Sequence, residues 1–135
     1  MISFDNFKAE GRSPVYLQII SFVKRGVAAG SIVDGDELPS RRMLSALLGI
    51  NPNTVQKAFA RLEREGLIWS GTGAKSYMTI SPKRLELLRE ELLRDDVMLL
   101  ISSLKQSGIS REEALELISS NWDRSEEEDP EGEEL

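Results

Sequence analysis

The chain contains no cysteine and no histidine among its 135 residues. The first absence removes disulfides and thiolate metal sites. The second removes the commonest metal ligand and the side chain best suited to general-base work near neutral pH. Enzymatic chemistry is therefore hard to assemble, and the sequence implies neither cofactor nor metal. No apolar run approaches the roughly 20 residues of a membrane span, and no charged segment followed by an apolar core opens the chain. A soluble cytoplasmic protein without a membrane partner is expected. With 40% apolar residues, the chain is long enough for one compact domain plus an appendage and too short for two large domains.

Positive charge is also scarce overall, since the net charge is −6, which argues at first against a polyanionic partner. Its distribution reverses that impression. Residues 1–80 carry ten basic side chains against seven acidic ones, whereas residues 81–135 carry seven against sixteen. Contacts to phosphate depend on local potential within about one Debye length, ~8 to 10 Å, so a basic face can coexist with a distant acidic tail.

The most informative stretch runs from Leu38 to Ile68 and reads as two helices joined by a tight turn. Ser40 is a natural N-cap for the first, and Met43, Leu44, Leu47 and Leu48 follow helical spacing, predicting one buried stripe. Gly49 ends it. In the second, Asn51 caps and Pro52 occupies the first turn, where its missing N–H costs nothing. Val55, Ala58, Phe59 and Leu62 form the inward face until Gly66. Asn53, Thr54, Gln56 and Lys57 therefore gather at the exposed N-terminal end, where a recognition helix offers hydrogen-bonding groups to bases and phosphates.

Residues 1–13 read as a short N-terminal arm in which Phe4 and Phe7 pack locally. Pro14 opens a first helix with Tyr16, Ile19, Ile20, Val23 and Val27 on one side, closed by Gly30. Asp34-Gly35-Asp36 is a turn. Leu67 to Ser70 and Tyr77 to Ile80 read as two short strands around Gly71-Thr72-Gly73-Ala74-Lys75-Ser76, a tip whose glycines by themselves indicate only a turn. Ser81-Pro82 then starts a long helix reaching Ser107 before Gly108. Leu85, Leu88, Leu92 and Leu99 share one face of it, and Leu93, Val97, Leu100, Ile101 and Leu104 share another. A two-helix appendage has too little surface to cover a helix on several sides, so burial against a second subunit is expected. Ser110 and Glu113 form a capping box for a last helix with Ala114, Leu115, Leu117, Ile118 and Trp122. Residues 123–135, mostly acidic, read as a disordered tail.

SPVYLQI at Ser13, LPSRRML at Leu38, the turn, EREGLI at Glu63 and GTG at Gly71 occur in an order and spacing that resemble the GntR superfamily of bacterial winged-helix transcription regulators. The shortness of the chain and the two helices after the hairpin resemble its YtrA-like branch. The resemblance covers residues 13–80. It implies a mainly α fold with a small β wing: a winged helix-turn-helix over 14–80, followed by a two-helix dimerisation hairpin over 81–122. The implied protein is a homodimer that binds a double-stranded, inverted-repeat operator and represses its own operon and neighbouring transporter genes, with an unidentified small-molecule effector possible. An adaptor that keeps the winged helix without DNA affinity is the alternative from another class.

Arg42 matches the arginine of the family's Pro-Ser-x-Arg pattern, and the resemblance implies a DNA contact for it. A guanidinium suits either phosphate or guanine. Ser40 is first a cap and second a phosphate donor. Asn53 and Gln56 can pair with adenine, and Lys57 suits a phosphate. Tyr16 either sends its hydroxyl to the DNA backbone or is simply half-buried. Gly71, Thr72, Gly73 and Lys75 form a small-residue tip suited to approaching a minor groove. Many relatives read Ser-Arg-x-Thr-Val where this chain reads Asn51-Pro52-Asn53-Thr54-Val55, so the operator of arginine-bearing relatives does not transfer.

Overall fold

The computed structural model describes residues 1–71, 73 and 75–124. Its elements are α1 (Val15–Ala29), β1 (Glu37–Leu38), α2 (Arg41–Leu48), α3 (Pro52–Arg64), β2 (Ile68–Ser70), β3 (Ser76–Met78), α4 (Pro82–Gln106) and α5 (Arg111–Asn121). They fall into two compact units, Met1–Leu93 and Arg94–Leu135. The mainly α winged helix-turn-helix with a small sheet and a helical C-terminal region is the fold observed.

The first unit closes a core of its own. Ile19, Ile20, Val23 and Val27 of α1 meet Val55, Ala58, Phe59 and Leu62 of α3. Leu38, Leu44, Leu67, Ile68 and Met78 complete the interior. The residues ahead of α1 belong to this core as well. Ile2 and Phe4 are buried, the Ile2 N–H donates to the Glu37 carbonyl at 2.7 Å, and Phe4 stacks on Phe22 with ring centroids 5.0 Å apart. Gly26 has a packing reason, since a Cβ there would collide with the Ile32 side chain as the chain turns back beneath α1.

The sheet has three antiparallel strands in the order β1-β3-β2, one more than the sequence suggested. Strand β1 is only two residues long, too short to alternate visibly, and it forms because β3 arrives some forty residues later. Glu37 faces Tyr77 and Leu38 faces Ser76. The preceding turn is stitched to the same strand: Asp34 Oδ1 accepts from the Ile80 N–H at 2.7 Å, and the Gly35 N–H donates to the Met78 carbonyl at 2.9 Å.

Helix α2 corrects the expected stripe. Leu44 is buried and Leu48 half-buried, but Met43 and Leu47 face outward. The inward positions are Arg41, Leu44, Ser45 and Leu48, a regular i, i+3, i+4, i+7 set in which two members are polar. Ser45 is tolerated because its hydroxyl donates to the Ile50 carbonyl at 2.6 Å. Arg41 lies over the Phe59 ring, 5.2 Å from its centroid.

Helix α4 begins at a Ser81 cap, whose Oγ accepts from the Arg84 N–H at 3.1 Å. Its first turns belong to the first unit. Arg84 donates to the Glu65 carbonyl at 2.7 Å, and Arg89 donates to the Ala28 carbonyl at 2.6 Å, near the last turn of α1. Leu88 is buried in the chain's own core and Leu92 packs against it. These two leucines, expected to face a second subunit, are used within the chain. In the second unit, Gly108 at φ 73° ends the turn after α4, and the Ser110 Oγ accepts from the Glu113 N–H at 3.2 Å, forming the expected cap of α5. None of the described residues of this unit is buried. The acidic tail assigned to 123–135 lies outside the described residues apart from Asp123 and Arg124.

Candidate nucleic-acid interface

Two caps fix where the functional side chains point. Ser40 Oγ accepts from the Met43 N–H at 3.1 Å, and Asn51 Oδ1 accepts from the Asn53 N–H at 2.8 Å. Both side chains are therefore engaged in starting helices, which satisfies amide donors that would otherwise be orphaned. Val55, Ala58, Phe59 and Leu62 are buried completely, so the opposite side of α3 is forced outward. Pro52, Asn53, Gln56 and Lys57 are exposed there, and Thr54 is half-buried.

The start of α1 lies beside the start of α3. Tyr16, Asn51, Asn53, Thr54 and Lys57, with Pro14 and Val15, line an open cleft of ≈ 510 Å³. Lys57 Nζ sits 4.1 Å from the centroid of the Tyr16 ring. This contact gives Tyr16 a use that its sequence did not reveal: the aromatic face steadies an ammonium group that would otherwise sample many rotamers.

Arg42 is exposed on α2 and does not line this cleft. Gly73 and Lys75 are exposed on the hairpin, where the Gly71 N–H donates to the Lys75 carbonyl at 2.8 Å. Thr72 lies outside the described residues. The cleft thus unites five of the predicted residues, with Arg42 and the hairpin tip apart from it.

Two residues escaped the sequence reading. Arg41 supports the motif by holding α2 against Phe59, and the signal was its helical spacing to Leu44, Ser45 and Leu48. Trp69 stands half in solvent on the hairpin, its ring centroid 6.0 Å from that of Tyr77. Its signal was alternation within β2. Among the described residues no cluster of acidic side chains is suited to a metal ion, and no helix is long and apolar enough to cross a membrane.

Comparison with known proteins gives this arrangement a family. The model of the bacterial regulatory proteins, gntR family, matches residues 15–75. The HTH-type transcriptional repressor YtrA of Bacillus subtilis is 35% identical over 112 residues, covering 78% of this chain and 82% of that protein. A GntR family transcriptional regulator from Listeria monocytogenes superposes with a TM-score of 0.75 at 28% identity, covering 83% of this chain and 98% of the other. YtrA from Sulfolobus acidocaldarius, described as a GntR-family transcription factor, aligns with a TM-score of 0.51 at 28% identity over 88% of this chain and 94% of its own. The chain belongs to the GntR family, in its YtrA-like branch, and is a DNA-binding transcriptional regulator rather than an enzyme.

Proposed function

We propose that the protein is a cytoplasmic repressor that binds an inverted-repeat operator as a homodimer, controlling its own operon and neighbouring transporter genes. The observation that carries the DNA-binding part is the outward N-terminal half of α3. Asn53 and Gln56 are free to read base edges there, while Lys57 and Tyr16 flank them at the cleft. Arg42 and Lys75 add phosphate contacts from α2 and the wing, with Gly71 and Gly73 keeping the wing slim enough for a minor groove. The Ser40 and Asn51 side chains act as caps, and Pro52 and Thr54 shape the approach of α3.

Dimerisation is supported by Val97, Leu100 and Ile101, which are exposed within the chain, together with half-buried Leu104 and the partly exposed Leu85. Apolar faces of this kind mark a protein contact. A two-fold dimer carries its recognition helices about one DNA turn, ~34 Å, or a multiple apart, which requires a palindromic operator. Control of an operon with transporter genes rests on the resemblance to the YtrA-like branch, and so does a small-molecule effector.

Selection of bound duplexes from a random library, followed by sedimentation of the complex, tests this reading. An inverted repeat bound by two chains is the expected result. Binding to the selected duplex no tighter than to random DNA at low salt would leave the adaptor reading in its place.

A further inference from the structure

The outer face of the wing carries an aromatic pair that none of the contacts above uses. In β2 and β3, Ile68 and Met78 point into the core, as does Ser76, whereas Trp69 and Tyr77 are directly opposed on the other side. Trp69 is 59% exposed, so little of its position is explained by burial. What it touches explains more. The indole lies on Tyr77 at an interplanar angle of 30° and reaches over Gly71, the residue at which the chain leaves β2. A Cβ on Gly71 would come within 3.1 Å of the indole Cζ3 and 3.6 Å of Tyr77 Cε2. Gly71 also lacks the positive φ found at Gly73. Its backbone is open to any residue, and the space taken by the indole is what favours glycine.

We propose that Trp69 is a positioning residue for the wing. Its indole, bracketed by Tyr77 and Gly71, fixes the root of the loop that the Gly71 N–H to Lys75 carbonyl bond closes, and so fixes the direction in which Lys75 leaves the sheet. A tilted aromatic pair directly across two antiparallel strands resists the hinge motion a short ribbon would otherwise undergo. The functional half of this proposal rests on the reading of the wing as a DNA contact.

Two measurements on the full chain test it. The first is amide exchange at Gly71, compared with core amides such as that of Leu62. Trp69→Ala should speed exchange at Gly71 by roughly ten-fold or more while leaving the core unchanged, and Trp69→Phe should restore most of the protection. Gly71→Ala should speed exchange on its own but add nothing in a Trp69→Ala background, where no indole remains to be displaced.

The second is operator affinity for Lys75→Ala made alone and together with Trp69→Ala. Loss of one phosphate contact weakens binding by roughly three-fold per half-site at low salt. That loss should shrink to near nothing when Trp69 is already alanine, because Lys75 is then no longer aimed. Native exchange at Gly71 in Trp69→Ala, or fully multiplicative losses from the two substitutions, would overturn the proposal. Native affinity in Lys75→Ala alone would refute the wing's DNA role, and the exchange rate would then decide the positioning of the loop by itself.

Discussion

The two units of the chain dispose of their apolar side chains in opposite ways. Up to Leu93, Phe59, Leu44, Leu62 and Val23 have no exposed surface, the buried Ser45 hydroxyl donates to a carbonyl, and half-buried Lys24 pairs with Glu65 at 3.1 Å. From Arg94 onward, Val97, Met98, Leu99, Leu100 and Ile101 are all exposed, as are Leu115, Leu117 and Trp122. The first unit buries a full core of its own, although Met43, Leu47 and Trp69 remain exposed on its surface. The second, with five consecutive apolar residues around one helix, retains surface that a lone pair of helices cannot cover. A closed core holds α3 in place, and the exposed apolar side chains beyond it are the surface that the proposed dimer would bury.

The largest effect should come from breaking the closed unit at its centre. Phe59 lies under Arg41 and against the interior of α1, so Phe59→Ala removes a large buried ring and the support of α2 together. A loss of about 3 to 5 kcal/mol is expected, enough to unfold much of a marginally stable domain. Urea titration followed by circular dichroism measures it, and a loss below about 1 kcal/mol would contradict the packing described.

Helix α4 belongs to both units, so the comparison can be sharpened along a single element. Leu88→Asp introduces an unpaired charge into the core and should unfold the first unit. Ile101→Asp introduces the same charge at a position that is 37% exposed in the single chain. It should leave the thermal transition of the first unit nearly unchanged while converting a dimer to a monomer in sedimentation. A native protein that sediments as a monomer at micromolar concentration would defeat the dimer.

How far the sequence disclosed this difference depended on whether the information was local. The caps at Ser40, Asn51 and Ser110 were legible because each is a short-range pattern of a polar side chain and the amides two or three residues ahead. The core face of α3 was legible for a similar reason, since its inward positions are all apolar. The face of α2 was misread because Arg41 and Ser45 point inward, which hydrophobicity conceals. Strand β1 was invisible because pairing with Ser76 and Tyr77, not its own two residues, makes it a strand. Leu88 and Leu92 looked equivalent to Ile101, and only the docking of Arg84 and Arg89 onto Glu65 and Ala28 separates them. At the candidate interface, the exposed end of α3 was predictable, but the Lys57 contact with Tyr16 joins two elements some forty residues apart.

That contact gives a smaller, separable prediction within the closed unit. If Lys57 meets a phosphate, Lys57→Ala should lower the salt slope of operator binding by about 0.9 in each half-site. Tyr16→Leu keeps the charge but removes the ring beneath it. Affinity should fall roughly two- to five-fold, matching ~0.5 to 1 kcal/mol for an exposed cation–π contact, with the slope unchanged. Tyr16→Phe retains the ring and should bind almost as the native protein. A Tyr16→Phe loss as large as that of Tyr16→Leu would instead assign the contact to the tyrosine hydroxyl.

The smallest expected effect tests the contrast of charge between the basic and acidic parts of the chain. Residues 125–135 contribute seven carboxylates and no basic side chain. Their charge has the same sign as a DNA phosphate, so they either repel the duplex at long range or compete for the cations at Arg42, Lys57 and Lys75. Both effects are screened beyond about one Debye length, which shortens from ~30 Å at 0.01 M salt to ~8 Å at 0.15 M. Truncation after Arg124 should therefore raise operator affinity a few-fold at the lowest salt and hardly at all above ~0.2 M. Base preference should stay the same, because carboxylates in this segment supply no readout of the groove. A titration in which intact and truncated chains keep equal affinity at every salt concentration would limit the acidic segment to a role in solubility. A change in the selected operator sequence would instead give it a direct part in recognition.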